Sequence, residues 1–464
     1  MKKIIFFAVL SLVNFCAFSQ ALGYEDLAIL FSQNSYNGSA RFNAMGGAFG
    51  ALGGDITALS VNPAGVSVFN GSRAFVAFQT RSTDHTTTYY ESSRVTQEEY
   101  FDLSSAGAIF SFSNSDDEDW SKLAFGVNYR ILADFSNSFV SSGNSGIATF
   151  DFFPFDTNTT PILYNIGNNQ QFFNTYNGDV SELNLTFGGT FRDKIHLGAG
   201  LNFYDITFSQ FATLREENSD GNGNTLNASF FQDNYTAGTG FSLSAGLIYK
   251  ASKNLRLGIS YQAPTWYSEI IEDTNIVDND GYFGVTEITV SEDPQNIYQN
   301  YSGRFTPRQS FDYALRTPSK LTTSAALIFG KIGLISMDYI SENFKGLNLN
   351  SGNADFSNEN LFFDNNLRRT STFNVGTEWR FKKLSLRGGY RYQQSPDANA
   401  IDSDHLQEYS AGIGYNLGTI KLNIAYRNNT RTGLYNFYPQ FPEVDAADLN
   451  IDNTIVTLGL SVSL

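Results

Sequence analysis

From about Ser72 to the C-terminus, apolar and polar residues alternate with a period of two, segment after segment. That spacing places successive side chains on opposite faces of a β-strand. Across residues 122–132, Leu123, Phe125, Val127, Tyr129 and Ile131 share one face, while Lys122, Ala124, Gly126, Asn128 and Arg130 share the other. The same rhythm runs through 255–262, 373–381 and 420–427. Strand centres are predicted at 73–80, 104–113, 121–131, 183–191, 195–204, 241–249, 255–262, 321–329, 332–340, 372–381, 384–392, 409–417, 420–427 and 454–464. The fourteen strands are even in number, as in bacterial outer-membrane barrels whose two ends share one side of the membrane.

The connections alternate between short and long. Tight ones fall at 192–194, 250–254, 330–331, 382–383 and 418–419, with a longer acidic turn at 115–120. Long polar stretches fall near 81–103, 132–182, 205–240, 263–320, 341–371, 393–408 and 428–453. A soluble sandwich has no reason to sort its loops this way, whereas a transmembrane barrel with short periplasmic turns and long extracellular loops does so regularly. The predicted fold is therefore all-β: a 14-stranded antiparallel transmembrane β-barrel over 71–464.

Residues 20–70 differ in kind. Tyr24 to Phe31 suit one or two amphipathic helical turns, and Asp55 suits the cap of a short helix ending before Asn62-Pro63. The Gly/Ala-rich run 44–54 lacks sustained alternation, and its small residues suit a compact plug packed against a strand wall. Ahead of it, Lys2 and Lys3, an apolar run from Ile4 to Val13 and Ala17-Phe18-Ser19 form a secretory signal over 1–19. The only cysteine, Cys16, lies within that signal, so no disulfide or thiolate chemistry is expected in the mature chain.

Composition refines this picture. After the N-terminus no apolar run reaches about 18 residues, which excludes a helical membrane bundle, and a mean hydropathy of −0.23 does not exclude a barrel, whose apolar residues are diluted one-in-two. The net charge of −16 argues against nucleic acid as a partner. Most acids fall in the long stretches, while Lys194, Lys250, Lys253, Lys331, Lys382 and Lys383 sit at short turns, which predicts an axial charge polarity. Nothing forms a catalytic constellation, so no enzyme activity, metal or cofactor is expected: His85, His196 and His405 are isolated, and Asp116 to Asp119 read as a solvated turn. The polar strand face carries many glycines, including Gly126, Gly188, Gly198, Gly246, Gly258, Gly376, Gly389 and Gly412, which would leave room in a lumen. The same face carries Arg130, Arg256, Arg380, Arg387 and Arg391, with Glu378 as the clearest acid. These arginines are candidates for an anionic head group such as a carboxylate; the competing reading is a salt-bridge network that stiffens the barrel.

Residues 39–49 (Ser-Ala-Arg-Phe-Asn-Ala-Met-Gly-Gly-Ala-Phe), then Gly53-Gly54-Asp55 and Asn62-Pro63-Ala64-Gly65, resemble the N-terminus of the FadL/TodX outer-membrane transport family. Pieces at 316–321, 387–392 with 395–396, and 409–415 resemble it as well. The resemblance implies a barrel plugged by an N-terminal hatch, and passive uptake of hydrophobic molecules such as long-chain fatty acids or aromatic hydrocarbons. It also implies lateral exit at an inward kink of the third strand, beside the hatch motif Asn62, Pro63 and Ala64. Met45, Phe49 and Gly126 join the hatch and gate candidates, Gly126 as the expected kink. The expected setting is the outer membrane of a Gram-negative bacterium, with both termini periplasmic, a monomeric chain, and membrane lipid and lipopolysaccharide as surroundings. The alternative function is an outer-membrane scaffold or shuttle for secretion or surface-assembly partners, without transport. Leu464 departs from the aromatic residue that usually ends such a barrel.

Overall fold

A computed structural model describes residues 22–113, 119–150, 152–153, 162–274, 285–300, 309–438 and 441–464. The expected signal segment and most of the acidic turn lie outside the described residues. Fourteen antiparallel strands close into a barrel. They are β1 (Arg73–Tyr89), β2 (Ser92–Ser113), β3 (Trp120–Asp134, continued as Asn137–Gly143), β4 (Ile166–Phe191), β5 (Ile195–Ser219), β6 (Thr225–Lys250) and β7 (Leu255–Gln262, continued as Trp266–Thr274). The second half comprises β8 (Lys320–Phe329), β9 (Gly333–Asn343), β10 (Arg369–Phe381), β11 (Leu384–Gln393), β12 (Leu406–Asn416), β13 (Ile420–Tyr435) and β14 (Ala447–Ser463). Each pairs with its sequence neighbour, and β1 pairs with β14 from Arg73↔Ser463 to Thr88↔Asp448, which closes the barrel between its first and last strands. All fourteen expected strand centres lie on these strands.

The strands rise further than expected. β4, β5 and β6 run to 26, 25 and 26 residues, where about 10 suffice to cross a bilayer. Much of 132–182 and 205–240, expected as polar loops, is therefore strand. Polar composition does not prevent this, because β5 is paired on both sides along its whole length, which satisfies its backbone groups.

The outer face carries exposed Leu123, Phe187, Leu201, Phe241, Leu257, Leu327, Ile413, Leu422 and Leu458 around the barrel. An apolar belt of this extent belongs in lipid rather than water.

Residues 22–71 lie within the lumen. Helix α1 (Tyr24–Ser32) precedes α2 (Ala40–Asn43), which Ser39 caps by accepting from the Phe42 N–H. Two 3₁₀ turns follow, Thr57–Ser60 and Pro63–Val68. Asp55 accepts from the Thr57 N–H at 3.0 Å and Asn62 from the Ala64 N–H at 3.1 Å, so both expected breaks in this segment are capped by side chains. A third helix, α3 (Ser357–Asn366), lies in the connection from β9 to β10.

The first and last described residues lie at different heights. Leu464 N donates to Ser72 O at the short-turn end. Leu22 N instead donates to the side chain of Gln210, fifteen residues up β5 and roughly 40 Å from that end. The apolar face of α1 (Leu27, Ala28 and Phe31) thus finds its burial in the upper lumen.

Candidate functional site

The inward glycines trace where the N-terminal segment docks. A Cβ on Gly198 would lie 2.3 Å from the Pro63 carbonyl carbon, and one on Gly389 would lie 2.3 Å from Gly46 N. Gly246 faces Asn62, Gly258 faces Gly50, Gly376 faces Met45, and Gly412 faces Ala44. These contacts run round opposite walls, so the segment fills the bore near the short-turn end. Met45 and Phe49 are wholly buried in it, with Phe42 packed at 5.4 Å from Phe49.

Polar clamps hold the plug. Asn62 Nδ2 donates to Gly50 O at 2.7 Å and to Leu247 O at 3.2 Å. Asp338, an acid on the inner face of β9, accepts from Phe49 N and Gly50 N, both at 2.9 Å. His196, isolated in sequence, meets Ser67 and Thr190 at 2.9 Å through Nδ1. Arg41 reaches Glu378 at 2.8 Å and stacks 5.1 Å from the Phe49 ring. Sequence parity exposes Asp338 and Glu378 as inward acids, but their partners in the plug are hundreds of residues away.

The candidate arginines do not converge on one point. Arg380 and Arg387 join Arg41 on Glu378, with Arg387 at 2.7 Å. Arg256 donates to Leu52 O at 3.0 Å. Arg391 donates to Asn34 O at 3.2 Å and stacks 3.8 Å over Tyr36, whose backbone is left-handed at φ 52°. Two of the five thus hold plug carbonyls and two share the wall acid Glu378 with the plug's Arg41, which fits the stiffening network better than a single anion site. Arg130 differs: although paired with Glu182, it lines a cavity above the plug together with Phe31, Leu132, Tyr204, Gln262, Lys320 and Glu342.

Above this neck the lumen is apolar. Leu27, Ala28 and Phe31 of α1 pack with Phe135, Ile206, Phe208, Tyr267, Ile270, Phe344 and Phe363. Tyr24 lies 5.1 Å from Phe356 and 5.4 Å from Tyr313. Lumens are polar by default. An aromatic cluster packed round α1 and bordering the neck cavity, which serves as an aromatic chamber only when α1 yields, is therefore a feature a hydrophobic solute could use.

The wall divides at the same level. β2 and β3 pair from Ser113↔Lys122 only as far as Ser105↔Arg130. β3 carries a bulge between Ile131 and Ala133, and the β1–β2 ladder shifts register around Ser104. Above this point β2 stays with β1 and β3 stays with β4. Gly126, the expected kink, instead pairs with Ile109 on one side and Thr186 on the other without interruption. Its lack of a Cβ serves the plug, since Leu59 Cδ1 would lie 2.6 Å away. The bend sits at Leu132, because an extra residue redirects a strand where a glycine held in register does not.

No family model and no curated protein sequence matches the chain. Among solved structures, a FadL homologue of Pseudomonas aeruginosa is similar at a TM-score of 0.58 and 14% identity, over 93% of this chain and 99% of that one. The Ralstonia pickettii toluene transporter TbuX is similar at 0.51 and 15%, over 92% and 99%. These similarities span both the barrel and the segment within it. The fold of this chain is that of the FadL/TodX barrels.

Proposed function

We propose that the chain is an outer-membrane channel for passive uptake of hydrophobic molecules, with residues 20–70 as its hatch and a signal peptide at 1–19. The observation that carries this reading is the aromatic chamber adjoining a neck cavity at the level where β2 and β3 part. A solute entering from the long-loop side would bury its apolar surface in the chamber, then leave sideways into lipid without crossing the polar lumen. Long-chain fatty acids and aromatic hydrocarbons both suit such a site. Arg130 and Lys320 line the neck, paired with Glu182 and Glu342, and in this reading a ligand carboxylate would share them. The similar structures include a toluene transporter, which supports the aromatic class.

In this reading the short turns face the periplasm of a Gram-negative cell, the belt meets lipid and lipopolysaccharide, and the chain acts as a monomer. Asn62, Pro63 and Ala64, wedged between Gly198 and Gly246, are the hatch residues that a gating movement must dislodge. The test is uptake of labelled fatty acid and of a neutral monoaromatic compound into liposomes holding the mature chain. Uptake of one or both above protein-free liposomes is expected, reduced by Pro63→Gly. Rates equal to protein-free liposomes for both would overturn transport and favour the scaffold alternative.

A further inference from the structure

The divided wall is closed by a polar seam. Above Arg130, the bent end of β3 lies behind the β1–β2 hairpin, its former outward face against that hairpin's inner face. Thr87 Oγ1 of β1 donates to Val140 O at 2.6 Å, and Ser138 donates to Glu98 of β2. At the base of the overlap, Arg81 of β1 donates to Asp134 at 2.6 Å and to Ser136 O at 2.7 Å. Its guanidinium lies 4.6 Å over the Tyr100 ring. The side chains of Arg81 and Asp134 are only 11% and 9% exposed, so the pair is screened from water. Outside it, Phe78 and Phe101 stack at 5.9 Å and present exposed rings to the lipid belt.

We propose that Arg81 is the latch of this seam, holding the β1–β2 hairpin over β3 and keeping the lateral route shut. The seam contains what a second state needs. Among the described residues Arg81 Nε has no hydrogen-bond partner, and Asp102, which already lies beside Asp134 and within the field of Arg81, keeps its Oδ2 free. Asp102 pairs with Gln79 in the β1–β2 register, so it shares the inner face of Arg81's own sheet. When β3 swings away from the hairpin, Arg81 turns from Asp134 to Asp102 and keeps a carboxylate partner. Breaking a buried ion pair outright is costly, whereas exchanging one partner for another is not, and two alternative pairings make a bistable element. Opening at this height, roughly 20 Å above the short-turn end, exposes the chamber to the outer half of the apolar belt.

The lateral route rests on the proposed transport function, so the experiment reads the seam separately. With Cys16 removed by processing, Ser138→Cys introduces a single thiol facing Glu98. A lipid-soluble maleimide is reacted with this protein in liposomes, alone and combined with Arg81→Ala or Asp102→Asn, after heat-modifiable mobility confirms a folded barrel. The latch requires alkylation about tenfold faster with Arg81→Ala, and no faster with Asp102→Asn, which removes the open-state partner and, in the closed state, a carboxylate beside Asp134 whose loss does not weaken the Arg81–Asp134 pair. Equal rates with and without Arg81, or equal acceleration by both substitutions, would overturn it. Uptake of the neutral monoaromatic compound is then measured with Arg81→Ala. A rise in both labelling and uptake supports latch and route together. Labelling that rises without any uptake by the parent chain leaves the latch standing and refutes transport.

Discussion

Glu378 shows how much a single inward side chain does here. Its carboxylate, 2% exposed, receives Arg41 from the plug and Arg380 and Arg387 from the wall. Removing the charge leaves three guanidinium groups facing one another in a confined space. Glu378→Gln is expected to destabilise the protein by about 3–5 kcal/mol, read as a lower urea midpoint for unfolding from lipid. An unchanged midpoint would mean that water in the lumen screens the cluster. Residue parity alone makes Glu378 and the arginines legible as inward groups. It does not reveal that Arg41 completes the set, because that pairing joins positions brought together only when the barrel closes around its own N-terminus.

At the scale of elements, the plug and the third strand follow different rules. The plug docks wherever the wall lacks side chains, so its footprint is set by glycines from many strands. Gly389→Ala would drive a Cβ into the backbone at Gly46. The barrel ladder should survive while the plug loosens, read as faster amide hydrogen exchange across 40–68 with little change in β10–β12. Comparable exchange in both proteins would show that the plug can shift to accommodate a methyl group. The third strand is visible in sequence as a clean alternation up to Ile131, but its bend is not. A bulge arises from the mismatch between two neighbouring ladders, so only the pairing of β3 with β4 locates it at Leu132.

For the whole molecule, one polarity rule divides inside from outside. Leu458 and Thr457 are neighbours on β14, yet Leu458 is 56% exposed in the belt while Thr457 is buried and accepts from Asn43 at 2.9 Å. Leu458→Arg, near the middle of the belt, is expected to cost about 2–4 kcal/mol by urea unfolding in lipid. Thr457→Val should cost about 1–3 kcal/mol through the unsatisfied Asn43 amide, and should loosen the plug more than the wall. Matching effects of the two changes on plug exchange would refute this division.

The sequence by itself determined the strand count, the two faces of each strand, the alternation of short turns with long connections and the separate character of residues 20–70. All of these are local periodicities of two or of composition, so a short window of residues suffices to express them. Only the tertiary structure decided that the inward arginines mostly anchor the plug, that α1 rises into an aromatic chamber, and that β3 passes behind the β1–β2 hairpin under Arg81. Those facts depend on which strands become neighbours and how far their registers agree. That agreement is settled by the closure of the whole barrel around the segment it contains.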